Sequence, residues 1–170
     1  MTKELYLQKL LPSYESFFDI NYNVSAGSRI FPATAAYHSR SEKYVLVRSA
    51  KLWATEMNEY VYFAFGDTPN KEEFISLKKD ALQAGLTQIK PHSEHMYSYV
   101  SLLLVADFLS EEVIREIKKS SYHKTYLFSF HGWMHLRIAA VDLSSGKVYG
   151  NRQGKELLPL LQNILSQDKA

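Results

Sequence analysis

Leu7, Leu10, Leu11, Tyr14, Phe17 and Phe18 recur at intervals of three and four, the stripe an amphipathic helix turns toward a core. Pro12 lacks the amide a helix interior needs, so a kink or a division is predicted there. The stretch 21–27 (NYNVSAG) reads as a turn-rich exit from this helix. Residues 31–39, 43–53 and 56–65 then change to a period of two, rich in β-branched and aromatic residues, and read as three strands. The second and third lie close enough to form a hairpin. A two-residue turn at Ala54 and Thr55 pairs Trp53 with Glu56 and Lys51 with Asn58. In that register Glu56 and Glu59 fall on opposite faces, and Arg48 approaches Glu59 on the more apolar one.

Downstream, Thr68 as N-cap, Pro69 in the first turn and Glu72 with Glu73 predict a helix start. Phe74, Leu77, Ala81 and Ala84 give this helix its buried side, and Gly85 its stop. A polar loop, 86–95, precedes a strand that ends in the run Leu102 to Ala106 and at Asp107. Such a continuous apolar run implies burial on both faces, so this strand is expected at the centre of the sheet. Ser110 opens a second helix with Val113, Ile114 and Ile117 inward. Residues 124–143 read as a hairpin around Gly132, 144–150 as a turn with a short strand, and the C-terminal part as a helix with Pro159 in its first turn. The predicted order is α-β-β-β-α-β-α-β-β-α. It defines an α+β protein with a single mixed β-sheet and helices packed on its faces, forming one globular domain over residues 1–170.

Composition narrows the function classes. A chain of 170 residues with no cysteine excludes disulfides, thiolate nucleophiles and sulfur-based metal sites, and a cytoplasmic location is the expectation. Lys3, Glu4, Lys9 and Pro12 interrupt the N-terminal apolar residues, against a signal peptide. No apolar run reaches the ~18 residues a bilayer span requires, so no membrane partner is expected. The net charge of +2, with both signs mixed along the chain, leaves nucleic acid as a weakly supported partner.

Two groups of residues carry candidate chemistry. The first is a polar cluster of Arg48, Glu59 and Asp107: a carboxylate on an apolar face needs a cationic partner, and Asp107 ends a buried strand at the edge where open sheets gather ligands. The second is a binding face in HGWMHLR, where Trp133, His135 and Arg137 alternate with Met134, Leu136 and Ile138 and present one side on which a base would stack or an anion be clamped. Lys124 is expected beside it. His92, Glu94 and His95 have a loop spacing that metals tolerate, but no HExxH motif accompanies them, and neither a metal nor another cofactor is expected. GNRQGKE lacks both the spacing and the Ser/Thr of a phosphate loop and reads as the start of the last helix. No GxSxG is present.

The order of elements over roughly residues 1–110 resembles the core of the restriction-endonuclease-like, or PD-(D/E)XK, fold. That resemblance implies an acidic residue, a spacer and a lysine on the third strand, holding a divalent cation that activates water. Here the third strand offers Glu56-Met57-Asn58 and Glu59-Tyr60-Val61, and neither ends in lysine, so no catalytic residue carries over. The chain is also similar to small uncharacterised bacterial proteins, which implies no activity. The sequence thus points to a binding module without a catalytic centre, with a protein partner or self-association as the expected contact. The alternatives are a degenerate nuclease-like protein that binds nucleic acid, and a small-molecule enzyme using Asp107 and the loop histidines.

Overall fold

The computed structural model describes residues 1–44 and 51–167. Its first helix, α1 (Lys3–Leu10), starts at Thr2, whose hydroxyl accepts the Leu5 amide. Pro12 then opens a separate turn, α2 (Pro12–Glu15), which is the predicted division. Residues read as a turn-rich exit instead form β1 (Asp19–Ala26), antiparallel to β2 (Arg29–Tyr44). A tight reversal at Gly27, φ +61°, joins them. Because β1 is an edge strand with most residues solvent-facing, it lacks the apolar alternation that would have marked it.

β2 pairs with β3 (Lys51–Gly66) along its length, with Ser41 opposite Thr55 and Glu42 opposite Ala54. The turn expected at Ala54 and Thr55 therefore does not occur; both lie inside a continuous strand, and Trp53 pairs with Lys43 rather than Glu56. The expected opposition of Glu56 and Glu59 holds: Glu56 shares its side with Asn58 and Tyr60, Glu59 with Val61 and Phe63.

The N-cap of helix α3 (Lys71–Gln88) lies two residues beyond the expected one. Asn70 caps it through a reciprocal box with Glu73, so Thr68 and Pro69 belong to the approach. Gly85 does not end this helix but is buried inside it, and a Cβ there would lie 2.5 Å from both methyls of Val100. β4 (His95–Ala106) is central, parallel to β3 on one side and to β6 (Trp133–Asp142) on the other. α4 (Glu111–Lys119) is capped by Ser110, as predicted. Short strands β5 (His123–Thr125) and β7 (Lys147–Gly150) share the outer edge of β6, and a 3₁₀ turn, Gln153–Leu157, leads into α5 (Leu158–Ser166). The seven-stranded mixed sheet runs β1-β2-β3-β4-β6-β5.

Topology decides which face each helix covers. The crossovers from β3 to β4 and from β4 to β6 step in the same direction across the sheet, so the right-handed rule puts α3 and α4 on one face. Phe74, Leu77, Ala81, Val113, Ile114 and Ile117 there meet Tyr62, Val100, Leu102, Leu136 and Ile138 in one buried cluster. The opposite face falls to the two ends of the chain. Tyr6, Leu7, Leu10, Leu161, Ile164 and Leu165 cover Val61, Phe63, Leu103, Val105, Ala139 and Val141, and Tyr6 donates its hydroxyl to the Leu161 carbonyl at 2.8 Å. Helices of eight and nine residues span roughly 12–14 Å. A twelve-residue strand runs roughly 40 Å, so this layer reaches only part of the face.

Candidate functional site

Where that layer stops, alternation along five strands builds a different surface. One cross-strand row runs Tyr37, Glu59, Tyr99, His135 and His123; the next runs Ser39, Met57, Tyr97, Trp133 and Thr125; and on the packed side lie Val61, Ser101 and Arg137. Tyr37, Tyr97, Tyr99, Trp133 and His135 are all half-buried, in contrast to the fully buried Leu103, Val105, Ala139 and Val141 farther along the same face. Trp133, His135 and Arg137 share this side as the sequence predicted. Lys124 does not join them, since it pairs with Met134 and so falls on the opposite side of the sheet.

Glu59 forms the floor. Its carboxylate accepts the Ser101 hydroxyl at 2.6 Å and lies 3.5 Å from Arg137 Nη1. Arg137 also meets Glu156 at 3.0 Å and lies flat on Tyr99, its Cζ 3.4 Å from the ring centroid. The Arg137 Nε is buried without a hydrogen-bond partner. Beyond them the Tyr97 and Trp133 rings stack at 5.0 Å and 15°, Trp133 meets His135 edge-on at 4.8 Å, and His135 lies 4.3 Å from His123. Burial first, then His123 and Arg137, hold the His135 imidazole below its usual range. Burial chiefly, with Glu59 adding, pushes the Tyr14 hydroxyl of α2 well up, so this phenol stays neutral beside the floor. One guanidinium between two carboxylates is neutralised, which removes the anion clamp as a reading of this face. What remains is an aromatic surface over a polar floor in which the charges are paired and the Arg137 Nε alone among the described buried side-chain atoms lacks a hydrogen bond.

Of the expected cluster of Arg48, Glu59 and Asp107, the two carboxylates do not come together. Arg48 lies outside the described residues; among those described, the cation beside Glu59 is Arg137, from β6. Asp107 follows Ala106, which pairs with Gly66, seven positions along β3 from Glu59 and so roughly 23 Å away. There Asp107 and Asp67 both bind Lys3 of α1, Asp107 at 2.8 Å. The neighbouring cleft of about 410 Å³ holds Arg29, itself paired with Asp80 at 2.7 Å. The loop histidines sit at the other end of β4, so an enzyme site built from Asp107 and these histidines has no geometric basis.

Those histidines belong to a separate polar chain. His92 Nε2 donates to Glu56 at 2.7 Å while its Nδ1 accepts the Glu94 amide; Asn58 donates to the other Glu56 oxygen and accepts from His38 Nδ1 at 2.7 Å. Burial raises the Glu56 pKa, but the hydrogen bonds from Asn58 and His92 and the nearby His92 and His95 outweigh it, and the carboxyl lies below its ordinary range. His95 is buried, bonded to the His131 carbonyl and to Ser98. Among the described residues no three or more His, Asp or Glu side chains converge as a metal site.

The sequence reading missed Tyr97, Tyr99, Ser101, Tyr37 and Glu156. The first three alternate in MYSYVSL against Ser98, Val100 and Leu102, a signal as plain as that of Trp133 to Arg137. Fold and face together define an α+β domain with a mixed sheet whose second face is packed at one end and aromatic at the other. Residues 2–163 match the family described as a domain of unknown function (DUF8052), and the chain belongs to that family. No curated protein and no solved structure matches it.

Proposed function

We propose that the chain is a non-catalytic binding module of the cytoplasm that docks a protein partner on the aromatic half of this face. The observation that carries the reading is Arg137, fixed flat on Tyr99 by Glu59 and Glu156 beside the stacked Tyr97 and Trp133. Tyrosine, tryptophan and arginine are the residue types that carry most interface binding energy, and they do so best where their rotamers are already locked. Here the stack and the ion pairs restrict those rotamers before any partner arrives.

A photo-crosslinking residue placed at Tyr97 in cells tests this, with Tyr22, exposed on the β1 edge, as the comparison. The expected result is a discrete adduct from position 97 that is absent from position 22 and lost when Trp133→Ala is added. Identical adduct patterns from both positions, or none from position 97, overturn the reading. The alternative, a nuclease-like protein that only binds nucleic acid, draws support from the order of elements and from the stacking capacity of Trp133. Salt-dependent anisotropy with labelled DNA or RNA, abolished by Trp133→Ala, would favour it over the protein partner.

A further inference from the structure

The loop of residues 126–132 joins β5 to β6 and projects Leu127, Phe128 and Phe130, which are 59%, 91% and 77% exposed. Leu127, Phe128 and Ser129 adopt φ of 47°, 50° and 72°, a left-handed region unfavourable to L-residues. Yet the loop is tied down. The Tyr126 amide donates to the Gly132 carbonyl, His131 to Tyr126 and Phe130 to Leu127. Gly132, φ +77°, sits so close to the β4 start that a Cβ would lie 2.3 Å from the Met96 carbonyl oxygen. Folding alone does not favour a strained backbone fixed so as to hold three apolar side chains in water.

The chain segment that carries the loop has charge of one sign, and Glu94, which lines the cleft beside Ser129 and Gly132, is paired with Arg40 at 2.6 Å. No acidic residue occurs between Glu116 and Asp142, while Lys118, Lys119, Lys124, Arg137 and three histidines do. Lys119 pairs with Glu116, Arg137 is neutralised and Lys118 lies over the Tyr149 ring at 5.6 Å, whereas Lys124 stands beside the loop, its ammonium 5.3 Å from the Tyr126 ring centroid. We infer that this loop is an interfacial anchor, inserting Leu127, Phe128 and Phe130 into an anionic lipid surface. Three features favour lipid over a protein pocket. The apolar side chains stand out from the surface, and a fluid bilayer needs no complementary shape to receive them. Tyr126 and Trp133 follow immediately behind, at the level where amphipathic rings meet headgroups. Lys124 and the acid-free stretch suit the negative cytoplasmic leaflet. The expectation of no membrane partner rested on spanning length. No helix among the described residues is long and apolar enough to span, but interfacial insertion does not require one.

Co-sedimentation of the full chain with vesicles of phosphatidylcholine alone, or with phosphatidylserine added, tests the inference. The wild type is expected to partition onto the anionic vesicles, less so as salt rises. Phe128→Ser with Phe130→Ser should lower that partition roughly tenfold or more, and Lys124→Gln roughly three- to fivefold on anionic vesicles only. Circular dichroism of each variant separates loss of binding from loss of fold. In Phe128→Trp, emission should shift to the blue on anionic vesicles. No partition of the wild type, partition indifferent to the double substitution, or unshifted emission from Trp at position 128 would each overturn the anchor. So would a serine-sensitive change of oligomeric state without vesicle binding, which would seat a second copy on the loop instead. None of these results depends on the crosslinking outcome at Tyr97.

Discussion

Arg137 of β6 and Tyr99 of β4 lie in face contact, guanidinium carbon to ring centroid 3.4 Å, and the carboxylate of Glu59 closes the third side. Both charged side chains are nearly buried, 11% and 15% exposed, so neither tolerates losing the other.

Arg137→Ala leaves the Glu59 carboxylate, among the described residues, with only the Ser101 hydroxyl and is expected to cost ~3–5 kcal/mol. Arg137→Lys keeps the charge but loses the planar stack, at ~1–2 kcal/mol. Replacing the pair together, Arg137→Met with Glu59→Gln, should cost less than Arg137→Ala alone. Urea midpoints at constant slope measure all three.

Gly85 gives a test in which helix propensity and packing oppose each other. Alanine is favoured over glycine in a helix interior by ~1 kcal/mol, yet its methyl would press on both Val100 methyls at 2.5 Å. Gly85→Ala is therefore expected to destabilise. Adding Val100→Ala should make the double variant more stable than the sum of the two single changes predicts, a coupling read from a double-mutant cycle.

Glu116 sets part of the acid limit. The Lys119 hydrogen bond lowers its pKa below 4.5, burial opposes this, and Lys78 adds to the lowering. The folded state thus binds fewer protons than the unfolded chain, so this contribution is complete above pH 4.5 and lost as pH falls through the folded value. Thermal melts taken downward from neutral pH should show that loss. Glu116→Gln should flatten it and cost ~1–3 kcal/mol at neutral pH, with Glu56, Asp80 and Asp142, also lowered, leaving a residual slope.

Lys3 behaves with the opposite sign. Hydrogen bonds to Asp107 and then Asp67 raise its pKa above 10.5, so its stabilisation is present below that value and lost as pH rises through the folded one. Both carboxylates are largely exposed, and Lys3→Ala and Asp107→Asn should each cost no more than ~1 kcal/mol by chemical denaturation. A larger loss from Asp107→Asn would contradict its role as a surface tether.

Local signals were read correctly where one residue decides the outcome. Pro12 divided the first helix, Ser110 capped α4, and the run from Leu102 to Ala106 proved central. The period of two in HGWMHLR placed Trp133, His135 and Arg137 on one side of the sheet. Reading failed where a distant neighbour overrides a local cue. Gly85 resembles a stop, but it is a contact for Val100; Thr68 resembles a cap, but Asn70 with Glu73 satisfies two amides at once. Ala54 and Thr55 carry no turn chemistry, and only their pairing with Glu42 and Ser41 shows that the strand continues. The partner of Glu59 was illegible because Arg137 is 78 positions away, a distance bridged by two crossovers.

Closing the second face with the two chain ends has a consequence in time. The buried cluster on the α3 and α4 side of the sheet is assembled from residues 31–140. The α1 side waits for Leu161, 155 residues after Tyr6, before its cluster is complete. Loop closure over that span is slow relative to local pairing. Although α1 precedes α3, α4 and α5 in the chain, it is therefore expected to be the last of them to dock, and pulsed hydrogen exchange during refolding should show its amides protected after those of α3.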